Sequence, residues 1–172
     1  ELKKFEDCFA RYLGIQHCVG VANGTEAIAL ALKACGIGPQ DEVMTVSHTA
    51  TPTVSAISMI GAKPVFVDID PQTMLMDVGQ IERSLTPKTR AVIPVHLYGQ
   101  CVDMDPLLAI SKRHHLFVVE DCAQATGAAY QGRPAGTMGH LGVFSFYPCK
   151  NLGCYGDGGA ITTGDSNLAD QL

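Results

Sequence analysis

A chain of 172 residues is long enough for one domain with a real core. With 47% hydrophobic and 17% charged residues, it is not a disordered segment. The formal net charge of −5 argues against nucleic acid as a partner, because phosphate binding needs clustered Lys and Arg. The basic pairs, Lys3-Lys4 and Lys112-Arg113, read instead as solvated helix faces.

Taken in chain order, the apolar patterning predicts a helix at Leu2–Leu13 and a short extended stretch at Cys18–Ala22 leading into Asn23. Helix Thr25–Cys35 follows, then strand Glu42–Val46, helix Thr53–Ile60, strand Pro64–Asp68 and helix Val78–Ser84. Strand Ala91–Val95, helix Met104–His115 and strand Leu116–Glu120 come next, with strands Gly142–Phe146 and Ala160–Thr163 beyond them. Strands such as Ala-Val-Ile-Pro-Val are continuously apolar, as expected where helices cover both faces of a parallel sheet. The alternation predicts a three-layer α/β/α fold with a mostly parallel sheet. In such folds ligands sit beyond the carboxyl ends of the strands, so the polar residues there are the ones to interrogate.

No apolar run reaches the roughly 18 residues that span a bilayer, and the opening Glu-Leu-Lys-Lys-Phe-Glu has no apolar signal segment. The first residue is not Met, and Asp165 to Leu172 reads as a helix just beginning, so the chain is expected to be a fragment. Its seven cysteines are odd in number, show no zinc-ligand spacing, and mostly sit in apolar runs. A reducing cytoplasm fits them better than a secreted disulfide scaffold.

Three stretches carry candidate chemistry. In Ala22-Asn23-Gly24-Thr25-Glu26-Ala27 a turn opens a helix at Thr25, whose free N–H groups either hold a phosphate or are simply capped by Thr25 with Glu26 nearby. In Glu120-Asp121-Cys122-Ala123-Gln124 two acids end an apolar strand. A carboxylate there binds a metal, acts as a base, pairs with a protonated heterocyclic nitrogen, or caps the next helix. In Ser145-Phe146-Tyr147-Pro148-Cys149-Lys150-Asn151-Leu152-Gly153 a lysine follows an aromatic strand. It is either a surface-loop lysine or a partly desolvated one able to condense with a carbonyl. The other six lysines read as solvent-facing positions in helices or turns. The glycines from Gly153 to Gly159 do not make the dinucleotide pattern Gly-x-Gly-x-x-Gly, and no P-loop is present. His96 follows a strand, where it faces the site or serves the core.

Together these stretches resemble the DegT/DnrJ/EryC1/StrS family of sugar aminotransferases. The likeness lies in Asn23 to Ala27, Pro94-Val95-His96-Leu97-Tyr98-Gly99, Glu120 to Gln124, Ser145 to Gly153 and Gly156-Asp157-Gly158-Gly159-Ala160, in this order and spacing. The resemblance implies part of the large domain of the fold type I transferases, with the family's smaller C-terminal domain outside this chain. It implies pyridoxal 5'-phosphate as cofactor, carried on Lys150, which would also move the proton in catalysis. Asp121 would pair with the pyridine nitrogen, Gln124 would contact the ring, and Gly24, Thr25 and Ser145 would bind the phosphate. Ala50 stands where the family usually places an aromatic ring, and His48 is the alternative ring. The Ser47-His48-Thr49-Ala50 variant is similar to enzymes acting on 3-keto-6-deoxyhexoses.

The resemblance further implies an amino-acid donor such as glutamate, a nucleotide-linked keto-deoxysugar as acceptor, and a homodimer. From charge, apolar runs and cysteine usage, no nucleic acid, membrane or metal is expected, and the expected location is the cytoplasm. Relatives with dehydratase chemistry carry His in place of the lysine, and other relatives bind the cofactor as regulators without turnover.

Overall fold

The computed structural model describes residues 1–172, and the chain runs through nine strands and six α-helices. Helix α1 (Leu2–Leu13) ends at Gly14, whose left-handed φ of 71° suits a residue without Cβ. Strand β1 (His17–Val21) precedes helix α2 (Gly24–Ala34), and β2 (Glu42–Val46) precedes α3 (Thr51–Met59). Then come β3 (Lys63–Val67), a 3-10 turn at Val78–Gln80 running into α4 (Ile81–Ser84), and β4 (Thr89–Val92). Helix α5 (Met104–His114) and strand β5 (Phe117–Asp121) follow, then a small hairpin of β6 (Ala129–Tyr130) and β7 (Arg133–Pro134). Strands β8 (Leu141–Ser145) and β9 (Gly159–Thr163) and helix α6 (Ser166–Ala169) finish the chain.

Seven strands form one sheet in the order β1-β9-β8-β5-β4-β2-β3. The pairings from β3 across to β8 are all parallel, and β9 runs antiparallel to both its neighbours. The sheet is therefore mostly parallel, as the patterning predicts. Pro64 sits on the edge strand β3, where a missing N–H costs no ladder bond on the open side.

Alternation along the strands sorts the core into layers. Val43, Ala91, Val119 and Val143 pack with α2 and α3 residues such as Ala27, Leu32 and Ile57. Their chain neighbours Met44, Val92 and Val118 point the other way, against Met104 and Leu107 of α5. A third cluster anchors α1 beside β8, with Phe9 edge-on to Phe144 and Phe146 at 5.0 and 5.4 Å. The same parity fixes the acids: Asp121 shares a face with Val119, and Glu120 shares the opposite face with Val118.

Several boundaries differ from expectation for local reasons. The strand expected at Ala91–Val95 ends at Val92, and Val95 survives as an isolated bridge to Asp121. The strand expected at Leu116–Glu120 instead takes in Asp121 as its last residue. Lys63 lies on a strand rather than in a helix or turn, though it is exposed and ion-paired with Glu42 at 3.1 Å. All seven cysteines are free, but only Cys18, Cys35 and Cys122 are buried, while Cys8, Cys149 and Cys154 are exposed. No helix is long and apolar enough to cross a membrane.

Candidate active site

A cleft of about 480 Å³ opens where the carboxyl ends of β5 and β8 meet the first turns of α2 and α3. Gly24, Thr25, Thr53, Asp121, Ser145 and Lys150 all line it. Of the seven residues singled out by sequence, five thus converge; Gln124 and His48 do not line the cleft.

One end of the cleft is the start of α2. Asn23 caps α2 by accepting the Glu26 N–H on Oδ1 at 2.9 Å, and its carbonyl accepts the Ala27 N–H. The N–H groups of Gly24 and Thr25 therefore remain without an intrahelical acceptor at the positive end of the helix dipole. A Cβ on Gly24 would stand 2.7 Å from Cβ of Ser145, so only glycine lets the helix start abut the end of β8. Ser145 is buried, and its Oγ accepts the Tyr147 N–H over a long 3.5 Å, leaving the hydroxyl proton free to donate.

The floor of the cleft is a buried carboxyl group. Asp121 is 4% exposed. Its Oδ2 accepts the Thr53 hydroxyl at 2.8 Å and its Oδ1 accepts the Ala123 N–H at 3.1 Å. Burial pushes its carboxyl above the usual aspartate range, opposed by those two donors and by the nearby charge of Lys150. A carboxylate held this way has lone pairs to spare and no cation bonded to it.

The lysine sits in a loop folded by its own backbone. Phe146 and Gly158 close the loop's base through a 2.8 Å bond, and Cys154 N–H returns to the Phe146 carbonyl at 2.7 Å. Cβ atoms on Gly153 and Gly159 would stand 2.7 Å from the Pro148 carbonyl oxygen and 2.6 Å from the Asn23 carbonyl carbon. The glycine-rich run therefore serves close chain packing. Asn151 ties the loop to Thr126 by donating to its carbonyl at 2.7 Å. Lys150 is half-buried in the cleft, whereas the other six lysines are all exposed.

The remaining predicted residues stand elsewhere. Gln124 is exposed on the turn after β5. His48 turns away to meet Tyr98, its Nε2 2.9 Å from the phenol oxygen. Tyr98 itself is exposed and left-handed, with φ 59°. Ala50 does line the cleft and offers no ring.

His96 serves the core rather than the cleft. Its Nδ1 accepts the Val102 N–H at 3.1 Å, which assigns the ring proton to Nε2, 2.9 Å from Glu120 Oε2. Glu120, fully buried, also accepts the N–H groups of Gly136, Met138 and Gly139 at 2.9, 2.7 and 2.6 Å. His96, Glu120 and Cys122 lie close enough together to suggest a metal site, but the imidazole and the carboxylate are already committed to these bonds. Sequence reasoning missed this anchor, and it missed Thr53. The available signals were a His after one strand beside a Glu on its neighbour, and a Thr in the first turn of a helix facing an acid.

A model of the DegT/DnrJ/EryC1/StrS aminotransferase family matches residues 1–172. The chain belongs to this family. It is 57% identical over 171 residues to a dTDP-3-amino-3,4,6-trideoxy-alpha-D-glucose transaminase of Micromonospora megalomicea subsp. nigra, covering 99% of this chain and 46% of that protein. It is 52% identical to a protein of Geobacillus stearothermophilus named a pleiotropic regulatory protein, with coverage of 99% and 46%.

Among solved structures, it superposes on Streptomyces venezuelae DesV, determined in complex with a ketimine intermediate, with a TM-score of 0.96 at 50% identity. That match covers 99% of this chain and 46% of DesV. The chain thus spans about half the length of the family relatives it matches. Its sheet is that of the fold type I transferases.

The residues present fit the family's cofactor. An aromatic ring with a phosphate at one end and a protonated nitrogen at another would meet the free N–H groups of α2 and the cationless Asp121, respectively.

Proposed function

We propose that the full-length protein is a pyridoxal-phosphate-dependent aminotransferase, moving an amino group from an amino acid, glutamate by expectation, to a nucleotide-linked keto-deoxysugar. The observation that carries this reading is the convergence of Lys150, Asp121 and the anion-ready start of α2 in one cleft. When bound, the cofactor would supply a carbonyl to take up the amine and a ring to accept electrons. Gly24, Thr25 and Ser145 would hold the phosphate by N–H and O–H donation, with Gly24 allowing the close approach. Asp121 would keep the ring nitrogen protonated and would gain the cation that its burial calls for. Lys150 would anchor the carbonyl carbon and, once displaced by the donor, hold and return the proton at that side of the ring.

Gln124 belongs to the same proposal as a ring contact, but it is exposed and would have to reorient. His48 as a stacking ring would likewise have to leave Tyr98. A 3-keto sugar on dTDP is the acceptor supported by the name of the 57% identical relative and by the Ser47-His48-Thr49-Ala50 stretch. We further propose a homodimer of chains in which this segment is part of the large domain, joined to a smaller C-terminal domain.

The 52% identical relative named as a regulator supplies a second reading, cofactor binding without turnover. One experiment separates the two. Full-length protein is mixed with pyridoxal phosphate, its visible band is followed before and after glutamate, and borohydride-reduced protein is mapped by mass. A band bleached by glutamate, with the reduced adduct on Lys150, supports the transaminase. A band indifferent to every amino donor favours the regulator, and no band removes both.

A further inference from the structure

Two hydroxyls, Thr53 in the first turn of α3 and Thr49 just before the helix, have no part in the proposed chemistry. Thr53, 1% exposed, donates its only hydroxyl proton to Asp121 Oδ2 at 2.8 Å. Its oxygen lies 2.8 Å from the Thr49 hydroxyl, four residues earlier. Since the Thr53 proton is committed, Thr49 must be the donor in that second bond. The hydrogen bonds therefore run in one direction, from a half-buried Thr49 to a buried Thr53 to Asp121, and each polarises the next.

We propose that Thr49 and Thr53 act as a two-hydroxyl relay that aims Asp121 and holds it ionised for a cationic ring nitrogen. The inference rests on the cofactor reading above and deepens it. With Oδ1 fixed by Ala123 and Oδ2 by Thr53, the carboxylate plane cannot rotate, and its remaining lone pairs are those left for the cleft.

Other groups around Asp121 do not replace the relay. His96, from the turn after β4, is spent on Glu120. Lys150, from the loop after β8, is committed to the carbonyl chemistry. Tyr147, Cys149 and Asp157 of that loop, and Glu26 of α2, line the cleft without bonding to the carboxylate. Cys122, its chain neighbour, points its thiol at the Glu120 carbonyl. If Asp121 takes a proton on Oδ2, the chain reverses: Asp121 donates to Thr53, and Thr53 to Thr49.

The test measures binding of pyridoxamine 5'-phosphate, which forms no bond with Lys150, to full-length protein from acid to neutral pH. Thr53→Val keeps the shape and removes the hydroxyl. It should weaken binding at neutral pH by about tenfold, the worth of one hydrogen bond to a charged group. It should also move the acid limb of binding to higher pH, because the carboxylate has lost a donor that favours its charged form. Thr53→Ser should restore both, and Thr49→Val should move the limb the same way by less.

Wild-type affinity and an unmoved limb in Thr53→Val would overturn the relay while leaving the cofactor reading intact. So would a uniform loss shared by Thr53→Ser, which is a packing defect. A wild-type protein that does not bind the probe overturns the cofactor reading and the relay with it.

Discussion

Glu120 and Asp121 are adjacent acids on one strand, equally hidden from solvent, and the fold treats them oppositely. Glu120 faces the α5 side and collects four donors, three backbone N–H groups and an imidazole. Asp121 faces the α2 side and collects two, one of them a hydroxyl whose proton can reverse. A buried carboxylate with a full set of donors is a structural anchor. One left partly satisfied at the floor of a cleft keeps acceptor capacity facing that cleft. Because strand alternation sends neighbours to opposite faces, a single Glu-Asp dipeptide serves both purposes.

The sharpest way to break this comparison is at Glu120. Glu120→Ala strands three backbone N–H groups and leaves His96 without its partner, with no solvent to replace the carboxylate. Loss of a buried, hydrogen-bonded charge predicts a destabilisation of about 3–5 kcal/mol. Urea unfolding of the full-length protein would measure it. A loss below 1 kcal/mol would mean that Glu120 is no anchor.

Asp121→Asn should do the reverse in the cofactor-free protein. The amide oxygen takes the Ala123 N–H, and the amide nitrogen donates to Thr53, whose proton then turns to Thr49. The folded-state pKa of Asp121 is raised by burial, so between the ordinary aspartate value and the raised one the folded protein holds the extra proton. Stability contributed by this group therefore falls as pH rises through that window, and the full cost is present above it. Asp121→Asn should raise the Tm of cofactor-free protein above the window and abolish this group's slope. The same variant should weaken cofactor binding by about 30-fold, or 2 kcal/mol, through loss of the buried ion pair. Thermal melts across pH, with and without cofactor, would test the two halves together.

Much of this contrast was written in the sequence at low resolution. Continuous apolar runs and strand–helix alternation gave the layers, because burial on both faces leaves no polar periodicity to misread. The start of α2, Asp121 and Lys150 were legible as polar positions at or just beyond strand ends, and the structure brings them into one cleft. The roles of Glu120 and His96 were not, since strand patterning expected β5 to stop at Glu120 and left open which acid turned inward. Thr53 was hidden for another reason: a threonine in a first helical turn is read as local capping, and its bond to a residue 68 positions away is visible only in three dimensions. His48 and Gln124 were chosen by likeness alone, and the structure puts both outside the cleft lining.

Gly24 gives a smaller effect and separates shape from charge. Gly24→Ala forces a Cβ against Cβ of Ser145, so the start of α2 must move from the end of β8. Overpacking of this kind predicts about 1–3 kcal/mol of destabilisation, with weaker binding of inorganic phosphate to cofactor-free protein. If phosphate affinity is untouched while stability falls, the α2 end of the cleft is a packing joint and not an anion site.

The smallest effect concerns a bond that matches the anchor in length and differs in burial. His48 and Tyr98 meet at 2.9 Å, as His96 and Glu120 do. Water can replace either partner of the first pair, because Tyr98 is 63% exposed, and neither partner of the second. Tyr98→Phe should therefore change stability by less than about 0.5 kcal/mol, within the range of ordinary surface substitutions. Since Tyr98 holds a left-handed backbone that costs a non-glycine residue energy, the loop has a reason to be there beyond that bond. A Tyr98→Phe variant with normal stability but a raised KM for the sugar would place the phenol at the substrate. Unchanged kinetics would leave it a solvated tether for His48.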